Sequence, residues 1–193
     1  MISTVPLKEK QENAIEITKH ISELDLSKIG SYMDAFTKSE QKQHVLDTVR
    51  GTFREELILT DVKVSTKKEA IEKASGLLCQ QGCLSKDITE QVFEMEERRP
   101  TTIGSQIAMA HIYKENVIES GIVLMRMKCP VQWSNTSKVK LIFFLAINYD
   151  GSQEVLRLFK FLYSLIDNKK IIEKILEADD AGSIYNILMQ EII

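Results

Sequence analysis

Cysteine is scarce in this sequence: three in 193 residues, Cys79, Cys83 and Cys129. So sparse and odd a set argues against a disulfide framework. Cys79-Gln80-Gln81-Gly82-Cys83 has no second cysteine pair and no histidine at finger-like spacing, so no metal site is expected. Cys79 is expected to pack on a helix and Cys83 to lie just past its end. Long apolar runs are missing too. The longest, Leu141-Ile142-Phe143-Phe144-Leu145-Ala146-Ile147, falls far short of the roughly 20 residues that span a bilayer, so no membrane insertion is expected. There is no Lys/Arg-rich run, and the net charge is −3, so nothing here marks a surface for nucleic acid. Met1 to Pro6 leads into charged residues rather than an apolar stretch, so a cytoplasmic location is expected. Internal repeats and low-complexity tracts are also lacking.

What remains is ordinary globular material, with 44% hydrophobic and 27% charged residues. The length suits one domain plus an accessory segment. Two textures divide it. Residues 7 to about 57 read as short helices: Ile17, Ile21 and Leu24, then Ile29, Tyr32, Met33 and Phe36, then Leu46, Val49 and Phe53 form apolar stripes at helical spacing. From Leu57 the pattern alternates strand and helix. Leu57–Val64 reads as a strand. Thr66 and Glu69 stand in capping-box register for a helix ending near Gly82. A second helix is expected from Lys86 to about Arg98, then extended chain from Thr101 to His111 broken by Gly104. Gly121–Met127 and Val139–Ile147 read as strands, the latter apolar on both faces and so central. Gln153–Asp167, Lys169–Glu177 and Ser183–Ile192 read as helices. The expected fold is α/β: a three-layer α/β/α domain with a mixed central sheet over 53–193, preceded by an α-helical segment or linker over 1–52.

The histidines are His20, His44 and His111. The first two sit among the expected helices and read as surface or packing residues. His111 closes the passage Arg98-Arg99-Pro100-Thr101-Thr102-Ile103-Gly104-Ser105-Gln106-Ile107-Ala108-Met109-Ala110-His111. This passage resembles the active-site stretch of enzyme IIA domains of the fructose/mannitol class of the phosphotransferase system. Thr101, Gly104, Ile107, Ala108, Met109 and His111 occupy the places of that pattern. Lys68-Glu69-Ala70-Ile71, Gly121-Ile122-Val123-Leu124, Val131-Gln132-Trp133, Leu156-Arg157-Leu158-Phe159 and Ile171-Ile172-Glu173-Lys174-Ile175 follow it in collinear order over roughly 140 residues.

The resemblance implies that His111 is the phosphoacceptor, served by the phosphocarrier protein HPr and needing no cofactor. It also implies phosphate contacts from Thr101, Gly104 and Ser105. A neutral imidazole is a competent nucleophile near pH 7, and charge spread over phosphoryl oxygens calls for donors around it. Three positions depart from the family pattern. Met95 stands where an Arg is usual, Ala110 where a Pro is usual, and Val155 where a second His is usual. Arg98 and Arg99 are candidate charge substitutes, although on the helix they are expected to point away from position 95; their alternative reading is solvation at the helix end. An incomplete site favours the C-terminal enzyme IIA-like domain of a PRD-containing, BglG/MtlR-type transcription regulator, linked to upstream regulator domains. Two alternatives stay open: a working phosphocarrier feeding a sugar-specific enzyme IIB, and a binding module that has lost phosphorylation. Whether the chain forms a homodimer stays open as well.

Overall fold

Seven consecutive apolar residues, Leu141 to Ile147, leave no polar face for solvent, so a strand built from them must be covered on both sides. The structure is a computed structural model and describes residues 2–3, 15–16, 47, 49–104, 106–113, 116–148 and 153–191. Contacts divide the chain into two units, Met1–His44 and Val45–Ile193. In the first, strand β1 (Ile2–Ser3) pairs in parallel with β2 (Ile15–Glu16). Helix was expected at 15–16, but β-branched Ile15 instead stands opposite Ile2 in an extended pair. The apolar stripes at 17–36 lie outside the described residues.

The second unit carries a helical turn at 49–52, a 3₁₀ turn Glu55–Leu57, strand β3 (Ile58–Val62), helices α1 (Lys67–Gln80) and α2 (Thr89–Arg98), and strands β4 (Thr102–Ile103), β5 (Ile107–Tyr113), β6 (Gly121–Gln132) and β7 (Lys138–Ile147). Helices α3 (Gln153–Asp167), α4 (Lys169–Glu177) and α5 (Ala181–Gln190) complete it. The sheet order is β3-β6-β7-β5-β4, which puts β7 in the centre. It is mixed: β3 runs parallel to β6 and β7 to β5, while the β6–β7 and β4–β5 pairs are antiparallel. Alternation along β7 sends Ile142, Phe144 and Ala146 into one core with Ile71, Leu78 and Val92 of α1 and α2. Leu141, Phe143, Leu145 and Ile147 enter a second core with Leu158 and Leu162 of α3, Ile175 of α4 and Ile184 of α5. Each fully buried side chain of this size contributes about 1.5–3 kcal/mol, which is what holds helices on both faces.

Local signals explain the ends. Thr66 Oγ1 accepts from Glu69 N at 3.2 Å, and the Glu69 carboxylate accepts from Ser65 N at 2.7 Å. Helix α1 stops in a Schellman turn: Gly82, at φ +73°, donates to Cys79 O and Cys83 N donates to Leu78 O. That turn carries Cys83 into the core, where Arg54 Nη2 donates to its sulfur at 2.7 Å. Burial pushes the Cys83 thiol up, with Arg54 opposing. Helix α2 begins three residues later than expected from Lys86, because Asp87 is committed outside it. Its Oδ1 accepts from the Thr89 hydroxyl and amide and from the Ser75 hydroxyl. The Thr89 hydroxyl bond leads in holding that carboxyl below its usual range. Strand β6 runs five residues past Met127, through exposed Lys128, Cys129 and Pro130, where the ladder shifts register. Asp180 accepts from Ser183 N and starts α5 at Ala181 rather than Ser183.

Arg126 of β6 is buried at 6% exposure, and nothing in the sequence pattern marked it. Its Nη1 donates to the carbonyls of Ile175, Leu176 and Ala178, where α4 ends, and Nη2 lies 3.8 Å from Asp61 Oδ1. A guanidinium there satisfies the orphan carbonyls of the last helical turn and opposes the negative end of the helix dipole. Arg126→Met should lower stability by about 1–3 kcal/mol, read as a lower denaturant midpoint with an unchanged m-value.

Candidate functional site

The edge strand β4 is two residues long and pairs only Thr102 with Ala108 and Ile103 with Ile107. Beyond Met109, the outer edge of β5 has no strand beside it among the described residues. His111 lies on that stretch, half-buried, with Leu145 of β7 as its inner partner. Strand alternation puts it on the face of Ile107 and Met109. The C-terminal turn of α2 borders it: Met95, Glu96, Arg98, Arg99, Thr101 and His111 line one cleft of about 560 Å³.

This corrects the expected direction of the two arginines. Positions 95 and 98 are related as i and i+3, which share a helical face; Arg99 follows the helix end in a non-helical conformation, and all three line the His111 cleft. Arg98 lies 3.6 Å from Glu94, with both side chains largely exposed, so that pair holds it only weakly. Arg99 makes no ion pair among the described residues. Met95 is 42% exposed, an apolar side chain on the wall where an Arg was the family's habit.

The imidazole Nδ1 of His111 is 3.3 Å from the Met109 carbonyl. With Nδ1 donating to it, the neutral ring keeps its lone pair on Nε2. Such a nitrogen, in a cleft that two arginines also line, can attack a phosphoryl centre, and planar forked donors match phosphate oxygens.

The other predicted residues separate. Thr101 lines the cleft, but its hydroxyl donates to Glu96 Oε1 and its amide to Glu96 Oε2. Gly104 does not reach the cleft. It forms the β4–β5 turn at φ +61°, at the far end of β5, which explains why glycine suits the position. From Gln106 to His111 is ~16 Å of strand at the usual rise. Gly104 instead lines a groove with Ile103, Ile166 and Ile172. Ser105 lies outside the described residues, as do His20 and His44. Val155, in the place of a second His, is buried in the core beneath α3.

Sequence reasoning missed Glu96 as a builder of the site. It is 2% exposed and accepts from Trp133 Nε1 at 2.8 Å as well as from Thr101. A signal was available. Ile88, Val92 and Glu96 recur every fourth residue, which places a carboxylate on the apolar face of α2. Lys67, buried at the start of α1, donates to the Glu96 carbonyl at 3.1 Å and pairs with Glu97.

Known proteins carry the same architecture. A family model described as phosphoenolpyruvate-dependent sugar phosphotransferase system, EIIA 2, matches residues 52–191. Transcriptional regulator ManR of Bacillus subtilis (strain 168) is 24% identical over 176 residues, which cover 91% of this chain and 27% of the regulator. The chain therefore spans little more than a quarter of that relative's length. The mannitol-specific phosphotransferase enzyme IIA component of the same organism is 29% identical over 129 residues, 64% of this chain and 88% of that protein. Among solved structures, nitrogen regulatory protein IIA-Ntr from Neisseria meningitidis superposes with a TM-score of 0.61 at 27% identity, over 70% of this chain and 95% of that one.

The turn role of Gly104 is testable. A Cβ there meets nothing within 4 Å, so Gly104→Ala carries only the backbone cost of a positive φ, about 1–2 kcal/mol. The expected result is that loss of stability with unchanged NMR signals from the His111 ring.

Proposed function

The chain belongs to the EIIA type-2 family of the phosphoenolpyruvate-dependent sugar phosphotransferase system, and on that premise we propose that it is a regulatory, cytoplasmic enzyme IIA-like domain. In this reading it accepts a phosphoryl group on His111 from HPr and so reports sugar-transport flux. The observation that carries the proposal is the gathering of His111, Arg98 and Arg99 around one cleft, beside a stretch of β5 that has no strand on its outer edge among the described residues.

The step is an in-line displacement. The lone pair on Nε2 forms the new N–P bond as the N–P bond to the donor's phosphohistidine breaks, and the donor nitrogen keeps the departing electron pair. Arg98 and Arg99 neutralise charge on the three equatorial oxygens. The Met109 carbonyl holds the Nδ1 proton, which lets the phosphorylated ring carry its charge. Thr101 serves as the wall rather than as a free donor, since its hydroxyl already donates to Glu96.

Two features support a regulatory role over a transport carrier. Met95 offers no charge, and Val155 sits in the core with no donor for phosphate. A cleft short of these two groups fits a domain that reports its phosphorylation better than one that must pass the group on quickly. The regulator relatives agree with this reading. The mannitol enzyme IIA relative favours the second reading, a working carrier that passes the group to an enzyme IIB.

Incubation with phosphorylated HPr should place acid-labile phosphate on the chain and none on His111→Ala. No phosphate on the unmodified chain would sink both readings. Fast onward transfer to an enzyme IIB would favour the carrier. Met95→Arg should raise the acceptance rate about tenfold or more, since one charge-assisted hydrogen bond is worth about 1.5–3 kcal/mol. Val155→His is the poorer rescue, because it puts an imidazole into an apolar core.

A further inference from the structure

A short series of hydrogen-bonded residues connects the interior of the domain to the ring of His111. Trp133 Nε1 and Thr101 N donate to Glu96 Oε2 at 2.8 and 2.9 Å, and the Thr101 hydroxyl donates to Oε1 at 2.5 Å. The carbonyl of Thr101 accepts from Met109 N at 2.8 Å. The carbonyl of Met109 in turn faces His111 Nδ1 at 3.3 Å. The links pass through the backbones of Thr101 and Met109, so each hydrogen bond fixes the place of the residue that makes the next. Glu96 and Trp133 are 2% and 1% exposed, so water does not compete at the inner end.

The same carboxylate closes a loop. Its two oxygens bind the amide and hydroxyl of a residue five positions on, and the chain between them carries Arg98 and Arg99. One group therefore sets both the backbone that orients the imidazole and the segment that brings the cations.

We propose that Glu96 is a positioning residue for His111, acting through Thr101 and Met109 to fix the orientation and proton position of the imidazole. Its effect on phosphoryl transfer rests on the reading of His111 as acceptor. Its effect on the ring does not.

Glu96→Gln is the test. A glutamine has one acceptor oxygen and would turn an NH₂ group toward the donors of Thr101 or Trp133. Near-UV circular dichroism checks that the fold is kept, and ¹⁵N NMR of the histidine rings reads the outcome. The expected result is a fall in the Nδ1–H tautomer population at His111, with His20 and His44 unchanged as internal controls. Phosphate uptake from HPr should fall about 10- to 100-fold, the range for misplaced reacting groups. Lowered stability with unmoved His111 signals would overturn the proposal and leave Glu96 a purely structural residue. If Glu96→Gln does not fold, Trp133→Phe removes the indole donor alone and should shift the His111 signals the same way by less; no shift there overturns the proposal too. A chain that takes no phosphate at all would refute the function proposed above, while the ring signals would still decide the role of Glu96.

Discussion

The double-faced burial of β7 is the constraint on which this domain depends. A strand with no polar face needs hydrogen-bonded neighbours on both edges and helices on both sides. Its neighbours are β6, joined by a hairpin, and β5, which lies parallel and so requires a crossover. That arrangement puts β5 next to the sheet margin, with only the two residues of β4 outside it. Among the described residues no strand lies outside His111, because β4 is only two residues long; a longer edge strand would have paired with that position.

Much of this was legible in the sequence because it depended on local spacing. The apolar run named β7 as central. Thr66, Glu69 and Gly82 named the two ends of α1. The residues that escaped act through distant or bulge-dependent contacts. Arg126 meets carbonyls some fifty positions away, and no period in the sequence links the two. Gly104 was expected at the phosphate because a glycine near His111 suggests phosphate binding; the structure gives it a turn role at positive φ, in a groove other than the His111 cleft. Arg98 shares a face with position 95 because i and i+3 are neighbours on a helix, whereas Arg99 lies past the helix end, where helical spacing gives no direction.

The cleft also shows how a family site can lose one charge without becoming neutral. Position 95 carries a thioether, yet Arg98 at the helix end and Arg99 just beyond it also line the cleft. Their longer approach from an exposed helix end makes them weaker electrostatic partners than a residue held in the wall, because water screens them. Val155 has gone further, since its side chain belongs to the core and cannot be recruited.

Glu96 is hard to explain by stability alone. Removing a carboxylate from water costs several kcal/mol even after relaxation. Three hydrogen bonds to it return about 1.5–3 kcal/mol each, so the net is near balance. An apolar residue on the Ile88–Val92 face would have stabilised the helix without that cost. What the apolar residue lacks is direction. It would leave the amide and hydroxyl of Thr101 unheld, and with them the register of the loop from 96 to 101. A buried charge that contributes little net stability yet fixes two walls of one cleft is better accounted for by geometry at His111 than by the core it sits in.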